Sequence, residues 1–223
     1  MLGLLRRQGN SMFDSSKIDL YTPVDQAEYV VLDTELTGLD FKLDSIVSIG
    51  ALKMSGSRIE LSKTFYEVVR PRTELTSKSI VIHEITPSET ETMPGIEGIM
   101  ESFLRFCEGA VIVGHFISLD LRFLSQEMKR TGFGSLNNPA VDTCVIHDWM
   151  ADHQKDGFSS NYMGRMENKD LFSLAKKYQV PVQGAHNALM DAYVTAQLFQ
   201  RFMVMTRKLG VRTLRDLLRI GKP

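Results

Sequence analysis

Apolar and polar positions follow two different periodicities along the chain, and the change falls at Pro71. Before it, three apolar runs rich in β-branched residues predict strands at 29–33, 45–54 and 63–70. Short polar and glycine-containing links separate these runs, so we expect three sequential strands paired as an antiparallel meander. After Pro71, apolar residues recur at helical spacing, first in the segment 95–107.

The second half of the chain alternates short apolar strands with helices. This pattern predicts two further strands and three helices, at 110–114, 119–130, 141–142, 171–178 and 188–209. A meander followed by alternating strands and helices predicts an α/β fold. We therefore expect one mixed sheet, antiparallel at first and then parallel, flanked by helices.

Three segments lie outside this main pattern. Residues 1–27 mix polar, proline and acidic residues and are expected to form a leader or a packed arm, ahead of the main domain at 28–209. Residues 152–168 are polar and predict a long loop. Residues 210–223 form a basic tail, whose apolar spacing at 213–219 predicts a short amphipathic helix. That helix either packs on the domain or contacts nucleic acid or a partner.

Composition is that of an ordinary globular protein. Hydrophobic residues make up 43% and charged residues 24% of 223 positions, which fits one domain with short appendages. The net charge is −1, so any attraction for phosphate has to be local or supplied by a metal. Two cysteines without zinc-ligand spacing indicate a reduced, cytoplasmic protein. We expect neither a secretory signal nor a membrane span, because no apolar run approaches the required length.

Four acidic residues stand at the ends of predicted core elements, where a charge needs compensation. Asp33 and Glu35 point to the same face at the end of the first strand. Two close carboxylates repel each other unless they share a divalent cation. Asp120 falls in the first turn of the helix after the 110–114 strand, and Asp191 falls near the start of the last helix.

Each of these positions also has an ordinary structural interpretation. Asp33 and Glu35 fit a solvated strand end, and an acid such as Asp120 is favourable at the start of any helix. A lone histidine is more often structural or exposed than catalytic. His186 and Asp191 are five residues apart, about 140° around a helix, so we place His186 on the loop that enters the helix. One metal cluster explains all four acids together.

Three ordered motifs carry a family resemblance. They are D-T-E-L-T-G at 33–38, G-H-F-I-S-L-D-L-R-F-L at 114–124 and H-N-A-L-M-D-A at 186–192. Over about residues 28–203, the chain resembles the DEDDh exonucleases, the superfamily of the polymerase III proofreading (epsilon) subunit and ribonuclease T. The resemblance implies a ribonuclease H-like fold. It also implies 3′→5′ removal of nucleotides from single-stranded DNA, as in proofreading or repair, with release of nucleoside 5′-monophosphates.

The same resemblance implies roles for individual residues. Two divalent cations, Mg²⁺ or Mn²⁺, would be ligated by Asp33, Glu35, Asp120 and Asp191, and His186 would act as the general base. The expected substrate-binding residues lie around the first motif and at two further histidines: Thr34, Leu36, Thr37, His83 and His115.

The chain departs from the family pattern at Phe116, where the family usually has asparagine, and at Leu119, where an aromatic residue is common. Neither change removes a ligand. The motifs govern phosphodiester cleavage and not the choice of sugar, so an exoribonuclease or oligonucleotide-trimming enzyme of the same superfamily is an alternative. A polymerase accessory or non-catalytic nucleic-acid-binding subunit is a second. The expected partners are single-stranded 3′ ends; a separate polymerase chain and a homodimer are left open.

Overall fold

The computed structural model describes residues 18–153, 168–182 and 186–223. Within them, one five-stranded mixed sheet has the strand order β3-β2-β1-β4-β5. The strands are β1 (Glu28–Leu36), β2 (Ile46–Ser55), β3 (Arg58–Val68), β4 (Val111–Gly114) and β5 (Ala140–Asp142). β1, β2 and β3 pair antiparallel, which confirms the predicted meander. β4 runs parallel to β1, and β5 runs parallel to β4.

Eight α-helices flank this sheet in the described ranges. They are α1 (Ser77–His83), α2 (Pro87–Thr90), α3 (Met100–Cys107), α4 (Ser118–Thr131), α5 (Thr143–His153), α6 (Leu171–Lys177), α7 (Ala188–Lys208) and α8 (Leu214–Gly221). The sequence predicted five of them but not α1, α2 and α5. The predicted 95–107 helix is shorter than expected, because a 3₁₀ turn at Ile96–Gly98 precedes α3.

The first strand is buried on both faces of the sheet. Side chains alternate along β1, so Tyr29 and Val31 pack with Phe199 of α7 on one face. Val30 packs with Phe103 of α3 on the other face. β1 is therefore the central strand of two hydrophobic cores, and its end is held firmly between them.

Gly50 allows α7 to lie directly on the sheet. A Cβ atom on Gly50 would be 2.1 Å from backbone atoms of Ala188 and Leu189, at the start of α7. Gly50 pairs with Asp33 across the ladder between β2 and β1. The first turn of α7, which carries Asp191, therefore lies over the strand position of Asp33.

The C-terminal helix is part of the packed body. α8 buries Leu214, Leu217 and Ile220 in the core that also contains α7. Pro23 forms an antiparallel bridge with Thr213, which ties the N-terminal segment to this helix. The amphipathic helix predicted in the basic tail is thus present, and its apolar face packs on the domain.

The described part of the N-terminal segment is a packed arm, since Val24 and Ala27 are buried in the same core. Residues 1–17 of the predicted leader and residues 154–167 of the predicted long loop lie outside the described residues. None of the helices in the described ranges combines the length and the apolar content that crossing a membrane requires.

Candidate metal centre and active site

Three carboxyl groups converge at the end of β1. Asp33, Glu35 and Asp191 each offer an oxygen, and these oxygens all lie within 4.8 Å of one another. Asp33 and Glu35 project from β1 towards α7, and Asp191 comes from the first turn of that helix. Like-charged groups this close repel each other, so the cluster has to bind protons or a cation.

Asp120 reaches the cluster from α4. It lies in the first turn of that helix. Its oxygens do not belong to the group of three, from Asp33, Glu35 and Asp191, that lie within 4.8 Å of one another. The Thr34 hydroxyl donates a 2.5 Å hydrogen bond to Asp120 Oδ1. Thr34 lies between Asp33 and Glu35 on β1, so this bond ties Asp120 to the strand that carries both of them. The structure thus brings together all four predicted acids.

Burial raises the pKa of all four carboxyls. It raises the pKa of Glu35 to about 7, that of Asp120 to about 7 and that of Asp191 to about 6. The pKa of Asp33 is raised well above its ordinary value, first by burial and then by repulsion from the other three carboxylates. Protons therefore bind this cluster more tightly than they bind exposed carboxylates.

The donor set fits a hard divalent cation. Carboxylate oxygens are the ligands that Mg²⁺ and Mn²⁺ prefer. Asp191 Oδ1 is buried and has no hydrogen-bond partner among the described residues. A buried carboxylate oxygen without a partner is costly, and a cation held with Asp33 and Glu35 would offset that cost.

His186 lies on the loop that enters α7, as predicted. It immediately precedes Asn187, whose side chain caps the helix by accepting two backbone N–H groups. The ring of His186 is exposed and packs edge-on against Phe172, with ring centroids 5.3 Å apart. Burial raises the pKa of Asp191, and the charge and the backbone N–H of His186 lower it by a smaller amount. The backbone of His186 is therefore in contact with Asp191, and the role of its ring as general base stays a prediction.

Leu36 is the last residue of β1, and Thr37 follows it. Leu36 is half-buried, whereas Thr37 is buried. The Thr37 hydroxyl donates to Asp44 Oδ1 at 3.1 Å and accepts from the Ser45 backbone N–H at 3.0 Å. The side chain and the backbone N–H of Thr37 thus brace the loop at 37–45, and substrate binding by Thr34, Leu36 and Thr37 stays a prediction.

His83 and His115 are both buried, and burial lowers the pKa of each. The two ring nitrogens of His115 lie 2.8 Å from Thr143 Oγ1 and 2.8 Å from the Lys169 carbonyl oxygen. His83 Nδ1 accepts from the Ile85 N–H at 3.1 Å. His115 therefore uses both nitrogens inside the protein, and substrate binding by either histidine stays a prediction.

Two residues without a predicted role also support the site. Asp142, at the end of β5, accepts backbone N–H groups of Phe116, Ile117 and Cys144 at 3.2, 3.0 and 2.8 Å. It thereby fixes the turn that leads into α4. The other residue is Gly50. The sequence offered a signal for each residue. Asp142 is an acid at the end of an apolar strand, and Gly50 is an isolated glycine within a strand, a position that often marks the close approach of another backbone.

Similar proteins are known for most of this chain. A family model described as exonuclease, RNase_T, matches residues 30–199. The DNA polymerase III PolC-type of Thermotoga maritima is 32% identical over 191 residues, which cover 86% of this chain and 13% of that protein. A DNA polymerase III subunit epsilon-like protein of Rhodobacter capsulatus is 31% identical over 196 residues, covering 86% of this chain and 26% of that protein. The chain thus matches only a small part of these relatives.

Solved exonuclease structures share the fold. Exonuclease X in complex with 5′ overhanging duplex DNA has a TM-score of 0.62 and 23% identity, covering 86% of this chain and 98% of that one. E. coli Exonuclease I in complex with a dT13 oligonucleotide has a TM-score of 0.69 and 15% identity, covering 83% of this chain and 43% of that one. The predicted ribonuclease H-like fold with a mixed sheet is confirmed.

Proposed function

Because this chain belongs to the RNase T exonuclease family, we propose that it is a metal-dependent 3′→5′ exonuclease that acts on single-stranded DNA and releases nucleoside 5′-monophosphates. The observation that carries the proposal is the convergence of Asp33, Glu35 and Asp191 within 4.8 Å of one another, beside Asp120. Family membership supports nuclease activity, and the carboxylate cluster supports its dependence on metal.

The four carboxylates would hold two divalent cations, Mg²⁺ or Mn²⁺. Bound cations supply charge compensation between an anionic phosphodiester and an anionic site, and they stabilise the attacking and leaving oxygens. The protein fixes the ligands beforehand. β1 holds Asp33 and Glu35 between two cores, α7 holds Asp191 over the strand, and the Thr34 hydroxyl orients Asp120.

His186 takes a proton from the water that attacks the last phosphodiester. The water oxygen bonds to phosphorus, and the bond from phosphorus to the 3′ oxygen of the preceding nucleotide breaks. That 3′ oxygen takes up a proton from solvent, so the products are a nucleoside 5′-monophosphate and a strand with a new 3′ hydroxyl. The exposed ring of His186 can then pass the proton to solvent. Leu36, at the end of β1, is the proposed contact for the terminal base.

Matched DNA and RNA strands carrying a 5′ label test this function. With Mg²⁺ or Mn²⁺, we expect a ladder of products that shorten one nucleotide at a time from the 3′ end, faster for DNA than for RNA, and no ladder in EDTA. Asp33→Ala and Asp191→Ala should abolish the ladder while circular dichroism shows a retained fold. Full activity in either variant, or cleavage inside the strand, would contradict the proposal.

The names of the relatives favour a proofreading setting, because both are polymerase III proteins. A separate polymerase chain is therefore the proposed partner. A faster ladder on RNA in the same assay would favour the exoribonuclease alternative instead.

A further inference from the structure

We propose that a cleft between the 37–45 loop and the outer face of α4 binds the substrate strand on the 5′ side of its terminal nucleotide. This inference rests on the proposed function and names a second contact region for the same substrate. The cleft has a volume of about 490 Å³ and is lined by Phe41, Leu121, Arg122, Ser125, Gln126 and Lys129.

Both walls of the cleft begin at the active site. The 37–45 loop continues directly from the end of β1, which carries Glu35. The other wall is α4, which carries Asp120 in its first turn. A helix rises about 1.5 Å per residue, so Lys129 lies about 13 Å along the helix axis from Asp120, a distance that covers a few nucleotides. Arg122 and Lys129 follow Asp120 by two and nine residues, about 200° and about 180° around the helix, so the cleft opens on the side of α4 opposite to Asp120. A strand whose 3′ end lies at the carboxylates reaches the cleft by following the 37–45 loop past the start of α4.

The charge of the cleft suits phosphate. Arg122 and Lys129 are exposed on one face of α4, and neither side chain has an ion pair or a hydrogen bond in the part of the chain that the structure describes. Their neighbour Arg130 is instead paired with Glu127 and Glu97, and Arg72 also pairs with Glu127. The lining of the cleft contains no acid. Two unpaired cations over such a surface attract the phosphates of a nucleic-acid backbone.

Phe41 supplies an aromatic surface beside these cations. It is partly buried against the core formed by α3 and α4, so its ring has a fixed support. The loop that carries it is braced, because the Thr73 hydroxyl donates to the Leu43 carbonyl oxygen at 2.8 Å. The Asp44 carboxylate accepts hydrogen bonds from the Thr37 hydroxyl and the Asp40 backbone N–H, both within the loop. Single-strand binding sites combine such aromatic platforms with a positively charged path, and stacking on them tolerates any base.

The double variant Arg122→Ala/Lys129→Ala tests the cleft. Fluorescence anisotropy in EDTA measures its binding of a labelled 12-nucleotide DNA strand. We expect affinity to fall at least about tenfold at low salt. The slope of log affinity against log salt should lessen by about 1.4, since each lost phosphate contact on a single strand accounts for about 0.7. Phe41→Ala should weaken binding about fivefold or more with little change in that slope.

A matched control is Lys208→Ala/Arg212→Ala, which removes the same charge. Lys208 lies about 25 Å along α7 from Asp191, and both side chains are exposed. This control should bind the strand as the wild type does. If the Arg122→Ala/Lys129→Ala variant binds with wild-type affinity and salt dependence, or if the control loses as much, the cleft does not hold the strand.

A one-nucleotide substrate separates this inference from the proposed function. Thymidine 5′-(p-nitrophenyl phosphate) fills the active site alone, so its Mn²⁺-dependent hydrolysis should be unchanged in the cleft variants. Equal losses of kcat/KM on this ester and on the 12-nucleotide strand would overturn the cleft assignment. If the wild type hydrolyses neither substrate, the proposed function is refuted. The anisotropy measurement still tests whether the cleft binds the strand, because it does not depend on hydrolysis.

Discussion

At the scale of single residues, the site was predictable where an acid interrupts apolar sequence. Asp33, Asp120 and Asp191 stand at the ends of elements whose apolar patterns are plain, so their placement followed from alternation and helix starts. The hydrogen bond from Thr34 to Asp120 joins residues 86 positions apart, and no local pattern encodes it. Long-range side-chain geometry of this kind is fixed only by the fold.

The backbone conformation at Phe116 was also not predictable from the sequence. Its φ is 54°, a left-handed backbone that asparagine adopts more readily than a bulky residue does. Asp142 accepts the N–H groups of Phe116 and Ile117, which holds the turn despite the phenylalanine. The sequence identified the departure but not the backbone conformation that makes it matter.

The raised pKa of Glu35 predicts how the stability of the metal-free protein depends on pH. Burial raises this pKa from an ordinary 4.5 to about 7. Between these values the folded state keeps a proton that the unfolded state releases, so the Glu35 contribution to the free energy of unfolding falls as pH rises and levels off above about 7. In EDTA, Glu35→Gln should therefore melt at a higher temperature than the wild type at pH 8 but not at pH 4.5.

Thermal melts of both proteins across this pH range check the prediction. The comparison isolates Glu35, because the two proteins have all their other titratable groups in common. Added Mn²⁺ should raise the melting temperature of the wild type most at the alkaline end, because cations bind deprotonated carboxylates. A constant difference between the two proteins at every pH would contradict the assigned shift.

His186 should matter for turnover far more than for metal binding. His186→Asn suits the test because His186 has a φ of 64°, which asparagine tolerates. Loss of a general base lowers turnover by about 10²–10⁴-fold. Steady-state kinetics should show that loss, while Mn²⁺ titration shows an affinity within a few-fold of the wild type. An unaltered pH–rate profile in this variant would remove His186 from the role of base.

At the scale of elements, strands with strong apolar runs and the long helix α7 were predicted, and α5 was not. α5 buries Thr143 and His147 among its apolar residues, so its inward face has no continuous apolar stripe. α2 is a single turn of four residues, too short for a period to show. Periodicity identifies an element only when burial and hydrophobicity coincide along several turns.

Gly50→Ala tests how α7 is positioned on the sheet. The added methyl group would meet the backbone of Ala188 and Leu189 at 2.1 Å, and backbone cannot yield as a flexible side chain does. We expect a loss of about 1–3 kcal/mol in the free energy of unfolding. We also expect a lower affinity for Mn²⁺ and a lower rate of nucleotide release, because Asp191 moves with α7.

Gly98→Ala is the matched control, since its Cβ atom would meet only one side-chain carbon of Pro94, at 3.1 Å. Denaturant unfolding and Mn²⁺ titration of both variants make the comparison. Wild-type Mn²⁺ affinity in Gly50→Ala would show that the approach of α7 does not set the geometry of the cluster.

At the scale of the whole molecule, the sequence predicted the α/β class and the meander but not the strand order. The placement of β4 beside β1, which brings Asp120 near Asp33, depends on pairings between distant segments. The packing of the C-terminal helix against the N-terminal arm is equally long-range, since it joins Pro23 to Thr213. These contacts are set by the sum of packing in both cores rather than by any local motif.

Leu217→Ala tests whether α8 stabilises the domain. Leu217 is buried in the core that also contains α7. Truncating such a residue lowers the free energy of unfolding by about 2–5 kcal/mol. Arg219→Ala, on the exposed side of the same helix, should change stability by less than about 0.5 kcal/mol. Denaturant unfolding measures both. Equal stabilities would mean that the helix is an appendage and not part of the core.

We propose that carboxylates from β1, α4 and α7 form one metal centre. Anomalous diffraction from crystals grown with Mn²⁺ and a nucleoside 5′-monophosphate tests it most directly. We expect two manganese peaks, each about 2.1 Å from oxygens of the set Asp33, Glu35, Asp120 and Asp191. Manganese bound elsewhere, or no anomalous density among these four side chains, would contradict the account.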